Sequence, residues 1–378
     1  MSELSVTTGH VLALRLFDVA YGINLAVAET LWAQHATGRS SRSRLTATPP
    51  KAMAFGVEPL SLELDPVTLP LDTLPPGWPP VEAVVTARLY DFGTVSLALR
   101  VNTPNIAWDD YAVLLNTVDR AVGQASGTRI WEKMLDLLRG VLAASFVKPT
   151  PSTVAEDYLI GVVQRFDTKF TAAELLGRVD LVPLLSGERR ALSDGARADL
   201  LRQRFSYYAD DLVVLTWDRA FIYEPRGDSD VADVLEVANA QLLQMRYYDE
   251  LLDDELPRMY DMVEQTRSRL NLFAARRYAE LAHKLTTLVA EVTELTEKVE
   301  NALQVTEDVY LARIYAAALD LYRVPTVSRA VNRKLSIIRD TYTSLYDEAS
   351  SRSSQMMEAA ILVLIMVEVV LAFLRHGG

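Results

Sequence analysis

The amino-acid sequence predicts an α+β protein: an N-terminal mixed α/β domain with hairpins, then a long-helix, coiled-coil-like domain. Three observations predict this class. Strand-like runs, short turns and helical stretches alternate up to residue 227. Glycine then does not recur until residue 377, which favours long uninterrupted helices. The chain closes on an apolar run, 359–374, whose single charged residue is Glu368.

The same observations divide the chain into three predicted segments. We expect an α+β domain at 1–227, a long-helix bundle or coiled-coil domain at 228–355, and a hydrophobic terminal helix at 356–378. The first boundary is indicated by Pro225 and Gly227, which interrupt strand and helix patterns alike. A chain of 378 residues is long enough for two ordinary domains with hydrophobic cores.

The predicted elements of the first segment begin with a strand at 10–21, where β-branched and aromatic residues are concentrated. The stretch 23–34 has apolar residues at helical spacing and starts beside Asn24, a residue type that caps helices. A second strand is expected at 53–64. The proline-rich stretch 65–80 indicates a connector, because proline fixes φ and lacks the amide hydrogen.

The clearest predicted hairpin joins strands at 84–90 and 95–101 through Asp91-Phe92-Gly93, which supplies turn chemistry. These three residues also spell the kinase magnesium motif, but the other kinase motifs are absent from the sequence. The remaining predicted elements are helices at 108–124 and 129–144, a strand at 155–167, and a strand pair within 205–225 that turns at Trp217-Asp218. Hairpins mixed with helices favour α+β over a doubly wound sheet.

A heptad pattern dominates the predicted long-helix domain. Apolar residues recur at two positions of a seven-residue repeat, which is typical of a coiled-coil seam. The seam consists of Leu285, Leu288, Val292, Leu295 and Val299, and continues to Ala302. The partner of this seam is either another helix of the same chain or a second copy of the protein.

Composition limits the chemistry that the chain can perform. The absence of cysteine excludes disulfides, thiolate metal sites and cysteine nucleophiles. The formal net charge of -12 argues against general nucleic-acid binding, and the best local basic patch is Arg39, Arg42 and Arg44. No phosphate-binding glycine loop or nucleophile elbow occurs in the sequence, and the four histidines lack metal-ligand spacing. We therefore expect no enzymatic activity and no cofactor.

One acidic run, 247–261, is the only candidate for a metal site in the sequence. On a helix, Asp249 and Asp253 lie four residues apart, so their carboxylates stack on one side and provide the ligands that hard divalent ions prefer. The alternatives are a solvated acidic face and a docking surface for basic groups.

The terminal apolar run predicts a single-pass membrane anchor, with the bulk of the protein on the cytoplasmic side. A helix of about 16 residues spans ~24 Å, and a bilayer core is ~30 Å thick. Ile361 and Ile365 would contact lipid or neighbouring helices, and Glu368 would set the packing of several copies with Arg375 of a neighbour. A fully buried helix in a water-soluble assembly is the alternative.

Several residues of the last third resemble the "required for meiotic nuclear division" family, whose bacterial branch is called YagE. The resemblance rests on Asp308, on Asn332-Arg333-Lys334-Leu335, and on Arg352, Glu358 and Glu368. It implies an α+β domain, a long helical domain and one C-terminal transmembrane helix. Members of that family have no established catalytic activity, and one branch acts as a membrane-tethered scaffold.

The sequence therefore predicts a non-enzymatic, membrane-anchored scaffold that associates with itself, with membrane lipid and with a protein partner of unknown identity. The first alternative is an oligomeric membrane channel or transporter subunit in which Glu368 faces a pore. The second is a metal-dependent hydrolase that uses the acidic run.

Overall fold

The computed structural model describes residues 4–35, 39–42, 44–45, 53–69, 80–103, 105–123, 129–150, 154–188, 190–227, 230–267, 274–305 and 310–376. The chain separates into two compact units. The sheet unit comprises Met1–Tyr247 and Glu297–Pro325, and the helical unit comprises Tyr248–Thr296 and Thr326–Gly378. The coarse α+β prediction is confirmed, because strands concentrate in the N-terminal region and helices in the C-terminal part.

The elements follow one another along the chain in an order that mixes strands and helices until residue 223. The strands are β1 (Ser5–Asp18), β2 (Ala20–Ile23), β3 (Ser40–Arg42), β4 (Met53–Phe55), β5 (Leu60–Leu69), β6 (Val81–Leu89), β7 (Thr94–Asn102), β8 (Ile106–Ala107), β9 (Phe146–Pro149), β10 (Ala155–Phe166), β11 (Gln203–Phe205), β12 (Leu212–Leu215), β13 (Arg219–Tyr223) and β14 (Leu303–Val305). The α-helices are α1 (Leu25–Ala33), α2 (Trp108–Val122), α3 (Ile130–Leu142), α4 (Ala172–Arg178), α5 (Val182–Ser186), α6 (Asp194–Leu200), α7 (Val231–Arg267), α8 (Ala274–Glu300), α9 (Tyr310–Leu321) and α10 (Val324–His376).

The main sheet of the sheet unit has ten strands in the order β11-β12-β13-β10-β1-β7-β6-β5-β3, with β8 paired to β1. Its pairs are antiparallel except β10 with β13, which run parallel. The long strand β1 lies at the centre, where Ala13 is opposite Leu159 on one side and Leu99 on the other. Two small pairs, β2 with β9 and β4 with β14, complete the described strands.

The predicted hairpin is confirmed as β6 and β7, in which Leu89 pairs with Val95. The turn is tight because Gly93 adopts a φ of 90°, a left-handed conformation that suits glycine. A Cβ atom at this position would lie 1.7 Å from the Ala20 carbonyl oxygen. The predicted cap of α1 is also confirmed, since the Asn24 side chain accepts a hydrogen bond from the Val27 amide.

Both faces of the central sheet are covered. Alternate residues such as Val11 and Ala13 belong to a large hydrophobic core that includes buried residues of α1, α2 and α3. Leu14 and Leu16 are buried outside that core, on the face that receives the first half of α7. Residues 234–245 of α7 are buried without interruption, because the sheet lies on one side and α9 contacts the other.

The proline-rich connector is where the strand predictions were wrong. The predicted strand 53–64 is divided into β4 and β5 by residues 56–59. β5 then continues through Pro66 to Leu69, beyond its predicted end. Proline cannot donate to a ladder, and a register shift between Leu64 and Val67 accommodates it there. Residues 70–79 of the predicted connector lie outside the described residues.

The helical unit consists of the second part of α7, most of α8 and most of α10. Each segment buries a stripe of residues three or four positions apart, which is how helices pack side by side. The buried residues are Tyr248, Leu252 and Met259 on α7, Leu281, Leu285, Val292 and Leu295 on α8, and Val331, Leu335, Ile338 and Leu345 on α10. These stripes form the core of the unit.

The prediction of a transmembrane anchor was wrong. Among the residues that the structure describes, no helix is long and apolar enough to cross a membrane. Glu358 and Glu368, both exposed, lie within the predicted terminal helix 356–378. The predicted membrane localisation, which depended on this anchor, was wrong as well.

Candidate functional site

The most unusual surface of the molecule lies on the last helix. We call residues 361–367 of α10 the apolar segment; they are Ile361, Leu362, Val363, Leu364, Ile365, Met366 and Val367. Their exposed fractions range from 50% for Val367 to 65% for Met366. Seven consecutive helical residues cover the whole circumference of a helix. The apolar segment is therefore exposed on all of its sides.

Three of the predicted oligomer residues lie in or beside the apolar segment. Ile361, Ile365 and Glu368 are spaced four and three residues apart, so they share one side of α10. All three are exposed. The side chain of the fourth predicted residue, Arg375, lies outside the described residues.

The predicted seam is covered within a single copy. Leu285, Val292 and Leu295 are at most 5% exposed in the helical unit, and Leu288 is half-buried. Val299 is fully buried in the sheet unit. Because these side chains are already covered, the surface that remains for a second copy lies elsewhere.

The two predicted metal ligands hold an ammonium group. Lys334 Nζ on α10 donates to Asp249 Oδ1 at 2.6 Å and lies 2.7 Å from Asp253 Oδ1. Burial disfavours the charged lysine, but the hydrogen bonds that it donates to both carboxylates and their negative charges outweigh burial and raise the pKa of Lys334. Within the described part of the chain, no group of three histidine, aspartate or glutamate side chains could hold a metal ion.

The basic patch at the start of the chain is neutralised by neighbouring carboxylates. Arg42 pairs with Glu29 at 2.9 Å. Arg44 pairs with Glu58 at 2.6 Å, and Arg39 lies 3.9 Å from Glu63. The three arginines thus belong to ion pairs of the sheet unit and contribute little uncompensated positive charge.

A polar pocket in the sheet unit is a second candidate site, and the sequence reasoning missed it. We call it the arginine pocket; its volume is about 380 Å³. Three short segments form it, namely one side of α2, the residues after α5 and the start of β13. The lining residues are Asn116, Asp119, Arg120, Gly187, Glu188, Arg190 and Arg219.

Arg219 is the centre of this pocket. Its Nη1 donates to Asn116 Oδ1 at 2.6 Å and to the Leu184 carbonyl oxygen at 2.8 Å. Its Nη2 donates to Asp119 Oδ2 at 2.6 Å. The Arg219 side chain is only 8% exposed, so these bonds hold the guanidinium in one place and tie α2, α5 and β13 together.

Two buried polar networks lie where α7 meets the sheet. In the first, Arg88 of β6 binds Glu236 and Asp233 of α7, each at 2.9 Å, and the Tyr90 hydroxyl donates to Glu236. Burial raises the pKa of Glu236, while the Arg88 guanidinium opposes that shift. The network therefore depends on the charge pair remaining complete.

In the second network, the carboxylate of Asp18 accepts its described hydrogen bonds from neutral side chains. Asp18 is 2% exposed and accepts hydrogen bonds from Thr150 Oγ1 at 2.7 Å and Gln244 Nε2 at 2.8 Å. Gln244 also donates to Thr94. Burial raises the pKa of Asp18 to about 6, although both hydrogen bonds act in the opposite direction. The network ties α7 to the end of β1.

The fold and these sites define an α+β protein with a ten-stranded mixed sheet, a separate helical unit and an exposed apolar helix. The chain belongs to the family described as "Uncharacterized protein MJ0711, N-terminal domain", which matches residues 8–230, more than half of its length. A relative with this description, Uncharacterized protein MJ0711 of Methanocaldococcus jannaschii, is 23% identical over 196 residues. The alignment covers 52% of this chain and 59% of the relative. No solved structure matches the chain.

These comparisons correct the resemblance drawn from the last third of the sequence. The matched family occupies 8–230, whereas the resemblance to the meiotic nuclear division and YagE family rested on residues between 308 and 368. None of the matches indicates that family, so the assignment was wrong. Most of its motif residues are charged or polar, and such residues recur in the helices of unrelated proteins; Asp308 lies outside the described residues.

Proposed function

We propose that the protein is a non-enzymatic scaffold that associates with itself through the apolar segment of α10. The observation that carries the proposal is the exposure of at least 50% at each of seven consecutive apolar residues. Exposed apolar patches of this kind mark interaction surfaces in folded proteins. The neighbouring Glu358 and Glu368 give the segment polar ends.

The free energy gained by covering the apolar segment is enough for a modest association. Covering a fully exposed Val, Leu or Ile side chain contributes about 1.5–3 kcal/mol. Because the seven side chains are about half exposed, they contribute roughly 7 kcal/mol per copy when they are covered completely. Association costs about 4–15 kcal/mol in lost freedom. Two or more copies together therefore reach the range in which an oligomer is stable.

A second copy is the occupant that the segment itself favours. A helix that is apolar on every side is covered only when apolar surfaces surround it, and the same segment of further copies provides such surfaces. A bundle of several α10 helices would cover all sides at once. Glu368, which directly follows the segment, would then lie beside its copies in the neighbouring helices, where like charges limit how closely the helices approach.

The protein partner is proposed to bind the sheet unit. Two aromatic side chains, Trp217 at the β12–β13 turn and Tyr207 after β11, are 61% and 65% exposed. Tryptophan and tyrosine are the residue types that most often dominate binding energy at protein interfaces. The scaffold would thus combine self-association by α10 with recruitment by the sheet unit.

The experiment compares the molar mass of the intact protein with that of two leucine variants, by analytical ultracentrifugation over a range of concentrations. Leu364→Glu places a charge in the apolar segment, and Leu137→Glu is the matched control on α3, where Leu137 is 41% exposed. We expect the wild type and the control to form oligomers and Leu364→Glu to be a single copy. A wild type that stays a single copy at tens of micromolar would refute the proposal.

A further inference from the structure

We propose that the arginine pocket binds a small molecule through an oxyanion, that is, a phosphate or carboxylate group. The site lies wholly in the sheet unit, and this proposal does not depend on self-association through α10. A volume of about 380 Å³ lies within the range of small-ligand sites, which is about 300–1,000 Å³.

The donors for an oxyanion come first from Arg219. A guanidinium carries five N–H groups. The hydrogen bonds of Arg219 to described residues use both N–H groups of Nη1 and one of Nη2. The nearest carboxylate oxygen to Nε, that of Asp218, is 3.9 Å away and beyond hydrogen-bond distance. Two N–H groups of a rigidly held cation thus remain for an acceptor.

Gly187 allows the Arg219 guanidinium to approach the backbone closely. It ends α5 with a φ of 65°, in the left-handed region that glycine favours. A Cβ atom at this position would lie 2.4 Å from Arg219 Nη2. Any side chain at residue 187 would therefore displace the guanidinium from its place in the pocket wall.

Three arginines, Arg120, Arg190 and Arg219, line the described part of the pocket. Two carboxylates of the wall, Asp119 and Glu188, lie beside them, and Asp218 is 3.9 Å from Arg219 Nε. The formal net charge of the whole chain is -12, so three arginines in one pocket depart from the character of the chain. Arginine matches the planar geometry of phosphate and carboxylate oxygens, and a cluster of arginines favours an oxyanion.

The arrangement exceeds what a structural ion pair requires. The three hydrogen bonds of Arg219 already connect α2, α5 and β13. The nearby Arg190 adds nothing to that connection. Arg120 is oriented by a hydrogen bond of 2.9 Å from its Nη2 to Thr117 Oγ1. These features are accounted for by a bound oxyanion.

The test is a titration of the full-length protein with inorganic phosphate, phenyl phosphate and succinate at fixed ionic strength, followed by isothermal calorimetry. Phosphate compounds and succinate distinguish the two sources of the oxyanion. We expect saturable binding of at least one compound, weakened about tenfold in Arg190→Gln, as for the loss of one hydrogen bond to a charged group. Arg202→Gln is the matched control, because Arg202 is an exposed arginine that pairs only locally with Asp199.

The variant Gly187→Ala provides a second, independent test of the binding site. Its added methyl group would displace the Arg219 guanidinium and should therefore abolish binding while the variant remains folded, as judged by its circular dichroism spectrum and thermal melt. Should Gly187→Ala not fold, the Arg190→Gln comparison decides alone. The proposal is overturned if none of the three compounds binds saturably, or if Arg190→Gln binds as tightly as Arg202→Gln does.

Discussion

The first half of α7 and the apolar segment of α10 differ in which side chains they bury. α7 buries polar side chains, whereas α10 leaves apolar side chains exposed. Residues 234–245 of α7 are buried on every side although they include Glu236 and Gln244. Residues 361–367 of α10 are exposed on every side although all of them are apolar. One helix brings polar groups into the interior, and the other leaves apolar groups outside.

The difference shows that burial follows from the partners available and not from composition alone. The polar groups of α7 are buried because the sheet supplies matching groups, such as Arg88 for Glu236 and Asp18 for Gln244. The apolar segment has no such complement among the described residues of its own chain. A second copy is the complement that we propose for it.

We expect the greatest loss of stability when the buried Glu236 of α7 loses its cation. Arg88→Met should lower the free energy of unfolding by about 3–5 kcal/mol, because it leaves Glu236 buried without its cation. Urea denaturation at pH 7 measures the change. In the double variant Arg88→Met, Glu236→Gln most of the loss should be recovered, since the buried charge is removed. A loss below about 1 kcal/mol in the single variant would contradict the role of the pair.

Truncation of one buried and one exposed leucine compares the two helices directly. Leu243→Ala in α7 should cost about 2–5 kcal/mol, because Leu243 is fully buried and its truncation leaves a cavity. Leu364→Ala in α10 should change the unfolding free energy of the single copy by less than about 0.5 kcal/mol, because Leu364 is 63% exposed. Thermal and urea unfolding at high dilution test both. Equal costs at the two positions would mean that the apolar segment is covered even in one copy.

The contribution of Asp18 to stability is expected to depend on pH. A folded-state pKa of about 6 lies above the usual value of 3.8, so the folded protein holds this proton more tightly than the unfolded chain does. The stabilising contribution is present below pH ~4 and is lost as the pH rises through about 6. At neutral pH the ionised carboxylate thus costs about 2–3 kcal/mol.

Asp18→Asn should therefore raise the stability at pH 7.5 and leave it nearly unchanged at pH 4. Asparagine retains partners for both Thr150 and Gln244, because each can reverse its donor role. Unfolding free energies across this pH range give the difference between variant and wild type. Asp65→Asn, at an exposed position, is the control. A difference that does not grow with pH would show that the Asp18 network is not the cause.

Local patterns allowed much of the fold to be predicted. The β6–β7 hairpin, the cap of α1 and the amphipathic helices α2 and α3 all depend on residues a few positions apart. The course of β5 through Pro66 was not predicted, because the bulge that accommodates proline depends on the neighbouring strand. The seam residues of α8 were identified by their spacing, but the spacing left open what covers them.

The sites were less predictable than the elements. Arg219 binds Asn116, which lies 103 positions away in the sequence, and no local pattern marks either residue. The role of Gly187 could not be predicted from the sequence, because it depends on Arg219, which lies beside it only in the folded protein. The acidic pair Asp249 and Asp253 was found from its spacing, but its cation, Lys334, is 85 residues from Asp249.

The α+β class, most of the local elements and the apolar character of residues 361–367 could be read from the sequence, since these follow from neighbouring residues and their periodicity. The pairing of Lys334 with the acidic residues, the burial of α7 with its polar groups and the meeting of three arginines at one pocket depend on the three-dimensional fold. The physical reason is that a buried charge is stable only beside a partner of matching chemistry. Folding alone brings such partners together from distant parts of the chain.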